Sequence, residues 1–204
     1  VETASWKNLV DAIVCTWQSG EQVGNSIADV LSGQVNPSGR LPVTFQNKYG
    51  DAASDRNFPS DVKDTKDLAT MYMWGGDKQS AKREPKANID FTDYDEDIYV
   101  GYRYFDSFNK PVSYPFGYGL SYTTFAYENA KMTRKGAEYV VTVDVVNTGS
   151  RAGRNVVELF VAAPKGKLLN KPSKELKDYA KTELLQPGQR ETVELMVEAR
   201  DLAS

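Results

Sequence analysis

The chain has 204 residues and a formal net charge of −3, with 40% hydrophobic and 26% charged residues, an ordinary composition for a globular protein. It has no basic block and no apolar run near the roughly 18–20 residues that span a bilayer, so we expect no nucleic-acid partner and no membrane partner. Histidine is absent and Cys15 is the single cysteine, which excludes Ser-His-Asp triads, His-rich metal sites and an internal disulfide, and we expect no metal or cofactor.

The first fifty residues predict the alternation of helix and strand that is typical of an α/β domain. A short helix is predicted at 4–9. The consecutive apolar residues of Ala12–Trp17 predict a strand covered on both faces, as in a parallel sheet. Asn25 is predicted to cap a helix that ends at Gly33, and Arg40–Phe45 predicts a short edge strand. This unit is too short to be a domain by itself.

A long polar segment follows at 50–93, and it predicts a loop or an insertion. Its one apolar cluster is Met71–Trp74. Trp74 has two interpretations, because aromatic faces suit sugar rings as well as protein cores. It either pins the loop to the body of the protein or reaches a ligand.

The next segment, 94–127, contains twelve of the 23 aromatic residues of the chain. Glycines and prolines interrupt the aromatic residues at Gly101, Pro111, Pro115, Gly117 and Gly119. We therefore expect that no helix or central strand runs through this segment. We interpret it as an aromatic strap that winds over a surface between two bodies, with its tyrosine hydroxyls satisfied by hydrogen bonds.

After the strap the hydrophobic period changes to two. Strands are predicted at Tyr139–Val146, Val156–Ala162 and Glu191–Val197, with turn sequences at 147–150 and 186–189. Short strands at this spacing indicate a β-sandwich.

Three blocks of sequence resemble the C-terminal part of the family 3 glycoside hydrolases, the β-glucosidase and β-xylosidase family. The first block is WQSGEQVGNSIADVLSGQVNPSGRLPVTF, the second is GYRYFD with YPFGYGLSYTTF, and the third is VDVVNTGSRAGRNVVELFV with KPSKELKDYAKTELLQPGQ. The resemblance implies an α/β fragment, the end of an α/β sandwich, followed by an all-β immunoglobulin or fibronectin III-like sandwich. The implied segments are the α/β part at 1–49, the long loop at 50–93, the strap at 94–127 and the fibronectin type III-like module at 128–204.

The resemblance also implies a function. The family's retaining enzymes remove terminal non-reducing β-linked sugars with two carboxyl groups, a nucleophile and an acid/base. Both are expected upstream of this chain, so no catalytic residue is expected within it and the chain alone is expected to be inactive. We expect both termini to be cuts through a longer protein, whose remaining catalytic portion is a separate or cleaved chain.

The implied substrate is a β-glucoside or an oligosaccharide, with a β-xyloside as the other family option. The family resemblance favours a periplasmic or secreted location, and we expect no signal peptide within these residues. A second function class stays open at this point, namely a non-catalytic carbohydrate-binding or adhesion module.

Two residues near the first predicted strand are, with Trp74, the candidates for contact with substrate. Glu21 follows that strand, and the carboxyl ends of parallel strands are where open α/β sheets place ligands. It either completes the cap of the next helix or supports the substrate. The family often has Gln-Glu where this chain has Glu21-Gln22, so the acid is displaced by one position. Trp17 is either a core residue or one wall of the sugar site.

Three other polar features have simpler interpretations. Arg40 and Arg103 are expected to tie loops to carboxylates, because guanidinium groups suit bidentate pairing. The acidic run at 93–97 is expected to be a solvated edge, since its spacing matches no calcium loop.

Overall fold

The structure is a computed structural model that describes residues 2–57, 61–62, 83–84, 94–164 and 170–202. Most of the long polar segment lies outside the described residues. Trp74 lies there too, so the structure does not bear on either of its interpretations. No helix in the described residues is long and apolar enough to cross a membrane.

The described helices are α1 (Val23–Ser32), α2 (Tyr102–Ser107) and α3 (Ala199–Leu202), with short 3-10 helices at Lys7–Leu9 and Ala53–Asn57. The strands are β1 (Phe45–Gln46), β2 (Asp61–Val62), β3 (Arg83–Glu84), β4 (Val112–Tyr114), β5 (Phe125–Lys135), β6 (Glu138–Asn147), β7 (Val156–Val161), β8 (Glu175–Lys181) and β9 (Arg190–Glu198). All strand pairs are antiparallel: β1 with β4, β2 with β3, β5 with β6, β6 with β9 and β7 with β8.

The C-terminal half is a β-sandwich whose two sheets have the strand orders β5-β6-β9 and β7-β8. One hydrophobic cluster unites the sheets, and Val145 at its centre has no exposed surface. Alternate residues of β6 and β9 enter this cluster because successive side chains of a strand point to opposite faces. The buried members of the cluster are Val143, Val145, Val157, Leu185, Val193 and Leu195.

The fold class is confirmed, and the strands predicted in the sandwich are found as β6, β7 and β9. Strands β5 and β8 were not predicted from the sequence. Strand β5 is largely exposed and rich in charged residues, so no alternation of apolar residues marks it. Strand β8 also carries charged residues along its length.

The outer face of the three-stranded sheet has a polar network around Asp144. Hydrogen bonds from the side chains of Asn129 and Thr192, together with the Arg190 guanidinium, lower the pKa of Asp144 to about 2. Asn129 lies at an irregularity of β5 and has a φ of 53°, a left-handed conformation that asparagine tolerates. Its Nδ2 donates to Asp144 Oδ2 at 2.8 Å. The network therefore fixes a β-bulge to the neighbouring strand.

The predicted strand at 12–17 is wrong. These residues form no strand, and Val14 and Trp17 are 48% and 54% exposed. A parallel strand needs hydrogen-bonding neighbours in the same sheet, and the described residues supply none beside this segment. The apolar pattern is typical of a central strand, whereas in the structure this segment has no regular secondary structure.

Helix α1 is confirmed, but its predicted N-cap is wrong. The N-cap is Gln22, and Asn25 lies inside the helix, where its Nδ2 donates to Gln22 Oε1 at 2.7 Å. Gly33 ends the helix as predicted, with a φ of 77° and its N–H bonded to the Val30 carbonyl. Of the helix predicted at 4–9, only the last three residues are helical, as the 3-10 helix Lys7–Leu9.

A further local prediction is wrong. The strand predicted at 40–45 is restricted to β1, which begins at Phe45 and pairs with β4. No helix runs through the strap, but a six-residue helix that was not predicted, α2, lies within it between Gly101 and Pro111. One and a half turns fit between these two interruptions, so the glycine and the proline limit the helix without preventing it.

Candidate functional site

Trp17 is held in a strained conformation on an exposed loop. Its φ is 51°, a left-handed value that is unusual for a bulky residue, and the residue is 54% exposed. Its ring and that of Phe45 form a T-shaped pair with a centroid distance of 6.1 Å. Trp17 is therefore not a core residue of the described structure. Conformations of this kind cost about 1–3 kcal/mol and are concentrated at functional sites.

Trp17 is the first of a series of aromatic rings that pack against one another. Phe45 is 7% exposed and lies 6.5 Å from the ring of Tyr114. The ring of Tyr114 in turn lies 4.8 Å from that of Tyr118. Lys7 Nζ lies 5.0 Å from the centroid of the Tyr114 ring. These contacts connect the loop before α1 to strand β4 and the strap, so the position of Trp17 depends on both.

Glu21 is exposed and lies just before α1. Helix α1 has no side-chain cap hydrogen bond, and Glu21 makes no hydrogen bond or ion pair within the described residues. Glu21 therefore does not act as a hydrogen-bonded helix cap in the described structure. Trp17 and Glu21 share one loop and both face solvent.

The two arginines differ in their partners. Arg103 forms the expected salt bridge with Glu175, with 3.7 Å between Nη1 and Oε1. Arg40 was expected to bind a carboxylate, but its Nη2 donates to the amide oxygen of Asn155 at 2.7 Å. The Glu158 carboxylate lies close to Arg40. Burial raises the pKa of Glu158, against the opposing effect of Arg40 and Lys174.

The acidic run was expected to be a solvated edge, but one of its side chains is buried. Glu96 is 8% exposed and its Oε2 is buried without a hydrogen-bond partner among the described residues, whereas Asp95 and Asp97 on either side are exposed. The described residues contain no group of three or more Asp, Glu, Cys or His side chains placed to hold a metal ion.

Asn36 is a hydrogen-bonding centre that the sequence reasoning missed. Its Nδ2 donates to the carbonyl of Ala152 at 2.9 Å, and its Oδ1 accepts from Ser121 Oγ at 2.9 Å and from the N–H of Tyr122 at 2.8 Å. We call these four residues the Asn36 junction. The junction links the loop after α1, the strap and the β6–β7 turn. The motifs that contain these residues had been noted, but no local pattern shows that they meet.

Neighbouring contacts reinforce the Asn36 junction. Tyr122 Oη donates to the Val30 carbonyl at 2.8 Å, and the Arg151 guanidinium lies 5.8 Å from the centroid of the Tyr122 ring. Arg151 Nη1 also donates to the Gly33 carbonyl at 3.2 Å. A Cβ added to Gly153 would lie 2.7 Å from Asn36 Nδ2, so the close approach requires glycine there.

Helix α2 forms a second contact between the strap and the sandwich. The ring of Tyr102 lies 4.8 Å from that of Phe116 in the strap and 5.7 Å from that of Phe160 in β7. The Tyr102 hydroxyl accepts a 2.7 Å hydrogen bond from the N–H of Leu176 at the edge of β8. We call Tyr102, Phe116 and Phe160 the aromatic brace.

Polar contacts surround the aromatic brace. Lys174 Nζ lies 3.0 Å from Asp106 Oδ2, and the N–H of Ser173 donates to Ser107 Oγ at 2.9 Å. With the Arg103 salt bridge, these contacts join both ends of α2 to the start of β8. Side chains of the strap and of the sandwich therefore form one interface, which fixes α2 to β8.

The described structure is thus an α/β segment that an aromatic strap attaches to a β-sandwich. The profile of the Glycosyl hydrolase family 3 C-terminal domain matches residues 1–122, and that of the Fibronectin type III-like domain matches residues 155–204. The chain therefore belongs to glycoside hydrolase family 3.

Relatives with curated names include Beta-glucosidase B of Emericella nidulans, which is 40% identical over 201 residues covering 97% of this chain and 21% of the relative. Beta-glucosidase A of Butyrivibrio fibrisolvens is 37% identical over 224 residues covering 100% of this chain and 24% of the relative. The chain thus spans about a fifth to a quarter of the length of these relatives.

Solved structures are similar over the same extent. Beta-glucosidase 3B from Thermotoga neapolitana, in complex with glucose, gives a TM-score of 0.80 at 43% identity and covers 100% of this chain and 25% of its own. Beta-glucosidase from Kluyveromyces marxianus, in complex with glucose, gives a TM-score of 0.80 at 34% identity over 98% of this chain and 21% of its own.

Proposed function

We propose that this chain is the C-terminal portion of a retaining, exo-acting β-glucosidase that hydrolyses terminal non-reducing β-linked glucose. The observation that carries the proposal is the combination of family membership with relatives named as β-glucosidases across 97–100% of the chain. A β-xyloside is the alternative substrate within the family. The nucleophile and the acid/base lie outside the chain, in the remaining catalytic portion of the enzyme, which is its partner.

The role of the chain is to complete the α/β sandwich and to hold the fibronectin-like module rigidly against it. The Asn36 junction and the aromatic brace support this role, because they use hydrogen bonds and packed rings at two separated places. Two attachment points prevent the rotation that a single flexible linker allows. The module is then a structural support of the catalytic domain.

Trp17 is the residue of this chain that we assign to the substrate side, as one wall of the sugar site. The support is its left-handed backbone conformation together with its half-exposed side chain on the loop before α1, because strained conformations are concentrated at functional sites. Glu21, on the same loop, makes no hydrogen bond or ion pair within the described residues, and we assign it to bond a sugar hydroxyl.

The test is a kinetic comparison in the whole enzyme. Trp17→Ala is expected to weaken binding of a nitrophenyl β-glucoside by about 0.5–1.5 kcal/mol, a two- to tenfold increase in KM, if its ring contact has the strength typical of aromatic pairs. The melting temperature is expected to stay unchanged. Trp6→Ala is the matched control, since Trp6 is 37% exposed and lies on the preceding segment.

The isolated chain supplies the second arm of the test. It is expected to release no nitrophenol from the same β-glucoside, whereas the whole enzyme is active. Hydrolysis by the isolated chain would contradict the assignment of both catalytic carboxyl groups to the remaining portion. An unchanged KM in the Trp17→Ala enzyme would remove Trp17 from the sugar site.

A further inference from the structure

Trp17 lies on a segment that has few contacts with the rest of the described chain. Residues 10–19 make no hydrogen bond to a distant part of the described residues, and the hydrogen bond within the segment joins Ser19 Oγ to the Thr16 carbonyl at 2.6 Å. A left-handed φ of 51° at a bulky residue persists only where surrounding contacts hold it. The ring of Phe45, in a T-shaped pair with that of Trp17, is a long-range contact that can do so.

The Phe45 ring is itself held in place. Phe45 is 7% exposed and is the first residue of β1, where it pairs with Tyr114 of β4. The rings of Phe45 and Tyr114 form a second T-shaped pair, with a centroid distance of 6.5 Å and an angle of 70° between the ring planes. T-shaped pairs are a favoured geometry of aromatic rings, so a fixed Phe45 ring favours one orientation of the Trp17 ring.

We propose that Phe45 is a positioning residue that holds the Trp17 indole in the orientation in which it packs against the sugar. This role rests on the proposed function of Trp17 as one wall of the sugar site. Phe45 is buried, so it acts on substrate binding through Trp17 and not by contact with the sugar. Without the Phe45 ring the exposed indole adopts several orientations, and the apparent dissociation constant rises as the binding-competent population falls.

The first measurement is the KM of the whole enzyme for a nitrophenyl β-glucoside. Phe45→Leu removes the ring and is expected to raise KM about two- to fivefold, which corresponds to a binding orientation kept by about a half to a fifth of the molecules. The kcat is expected to stay unchanged, because the indole contacts the sugar equally in the ground state and in the transition state. Phe105→Leu is the matched control, since Phe105 is 5% exposed and its ring contacts that of Tyr104. It is expected to lower stability and to leave KM unchanged.

A double-mutant cycle separates positioning from a purely structural role of Phe45. In the Trp17→Ala background, Phe45→Leu is expected to change KM by less than about 1.5-fold, because the residue through which it acts is absent. A spectroscopic readout is the fluorine NMR resonance of Trp17 in whole enzyme labelled with fluorotryptophan, assigned by its loss in Trp17→Ala. This resonance is expected to shift in Phe45→Leu and not in Phe105→Leu. Phe45→Met takes the place of Phe45→Leu if that variant does not fold.

The outcomes separate the role of Phe45 from that of Trp17. An increase in KM confined to the background that retains Trp17, with a shifted Trp17 resonance, would support the positioning role. A raised KM in Trp17→Ala with an unchanged KM in Phe45→Leu would overturn that role and leave Trp17 in the sugar site. An equal increase from Phe45→Leu in both backgrounds would also overturn it. An unchanged KM in Trp17→Ala would instead refute the proposed function of Trp17 and, with it, the role of Phe45 in substrate binding.

Discussion

Two substitutions of Tyr102 test whether the aromatic brace stabilises the protein. Tyr102→Phe removes only the oxygen that accepts the N–H of Leu176 at 2.7 Å. Leaving a part-buried donor unpaired costs about 1–3 kcal/mol. Tyr102→Ala also removes the ring that contacts Phe116 and Phe160. Loss of a large aromatic side chain costs about 3–5 kcal/mol in a core, and we expect the lower end because Tyr102 is only half-buried.

The assay is chemical unfolding, with the free energy of unfolding measured for each variant. Tyr179 is the matched control, because it lies on β8 and is 68% exposed. Tyr179→Phe and Tyr179→Ala are expected to change stability by less than about 0.5 kcal/mol. The inhibition constant of glucose for the whole enzyme is expected to change little in the Tyr102 variants. Unchanged stability alongside an altered inhibition constant would refute the brace and would indicate a binding role instead.

Three further variants test the junction, the sandwich and the strap. Asn36→Ala loses three hydrogen bonds and is expected to lower the free energy of unfolding by about 2–3 kcal/mol in a denaturant titration. A loss below about 0.5 kcal/mol would contradict the stabilising role of the Asn36 junction. Hydrogen bonds, first that from Asn129, lower the pKa of Asp144 from 3.8 to about 2, so its stabilising contribution is present above pH 3.8 and is lost as the pH falls towards 2. The stability deficit of Asp144→Asn should therefore shrink across that pH window, and a pH-independent deficit would count against this cause. Gly119→Ala places a Cβ against a backbone carbonyl oxygen and is expected to cost about 1–3 kcal/mol by thermal unfolding, whereas Gly20→Ala, with nothing within 4 Å, is expected to be neutral.

The sequence predicts best those elements whose pattern is set by one buried face. Strand β6 alternates because Val143 and Val145 enter the core, and the structure has the strand within one residue of the predicted bounds at each end. Gly33 ends α1 because its left-handed conformation is easy for glycine and costly for other residues. Both signals are local and need no knowledge of the rest of the protein.

The failures have a different physical origin. Residues 12–17 have the composition of a central parallel strand, but strand formation depends on neighbouring strands, which composition does not report. Asn25 is a good capping residue, yet the helix begins before it. Strand β8 is held by hydrogen bonds to β7 despite its charged residues, so its pairing and not its pattern defines it.

The candidate site was only partly accessible to sequence reasoning. Trp17 was identified by its motif, but its left-handed backbone and exposure are visible only in the structure. The Asn36 junction joins residues separated by up to 116 positions, and such contacts leave no periodic signal. The burial of Glu96, whose Oε2 has no hydrogen-bond partner among the described residues, could not be predicted from an acidic run in which Asp95 and Asp97 are exposed.

The central claim is that this chain supports catalysis without supplying the nucleophile. A retaining glycosidase forms a covalent glycosyl-enzyme intermediate on its nucleophilic carboxylate, and a fluorinated glucoside can trap that intermediate. Peptide mapping of the trapped whole enzyme locates the labelled residue. The account predicts that the label lies outside the 204 residues of this chain. A label on any aspartate or glutamate within the chain would contradict it.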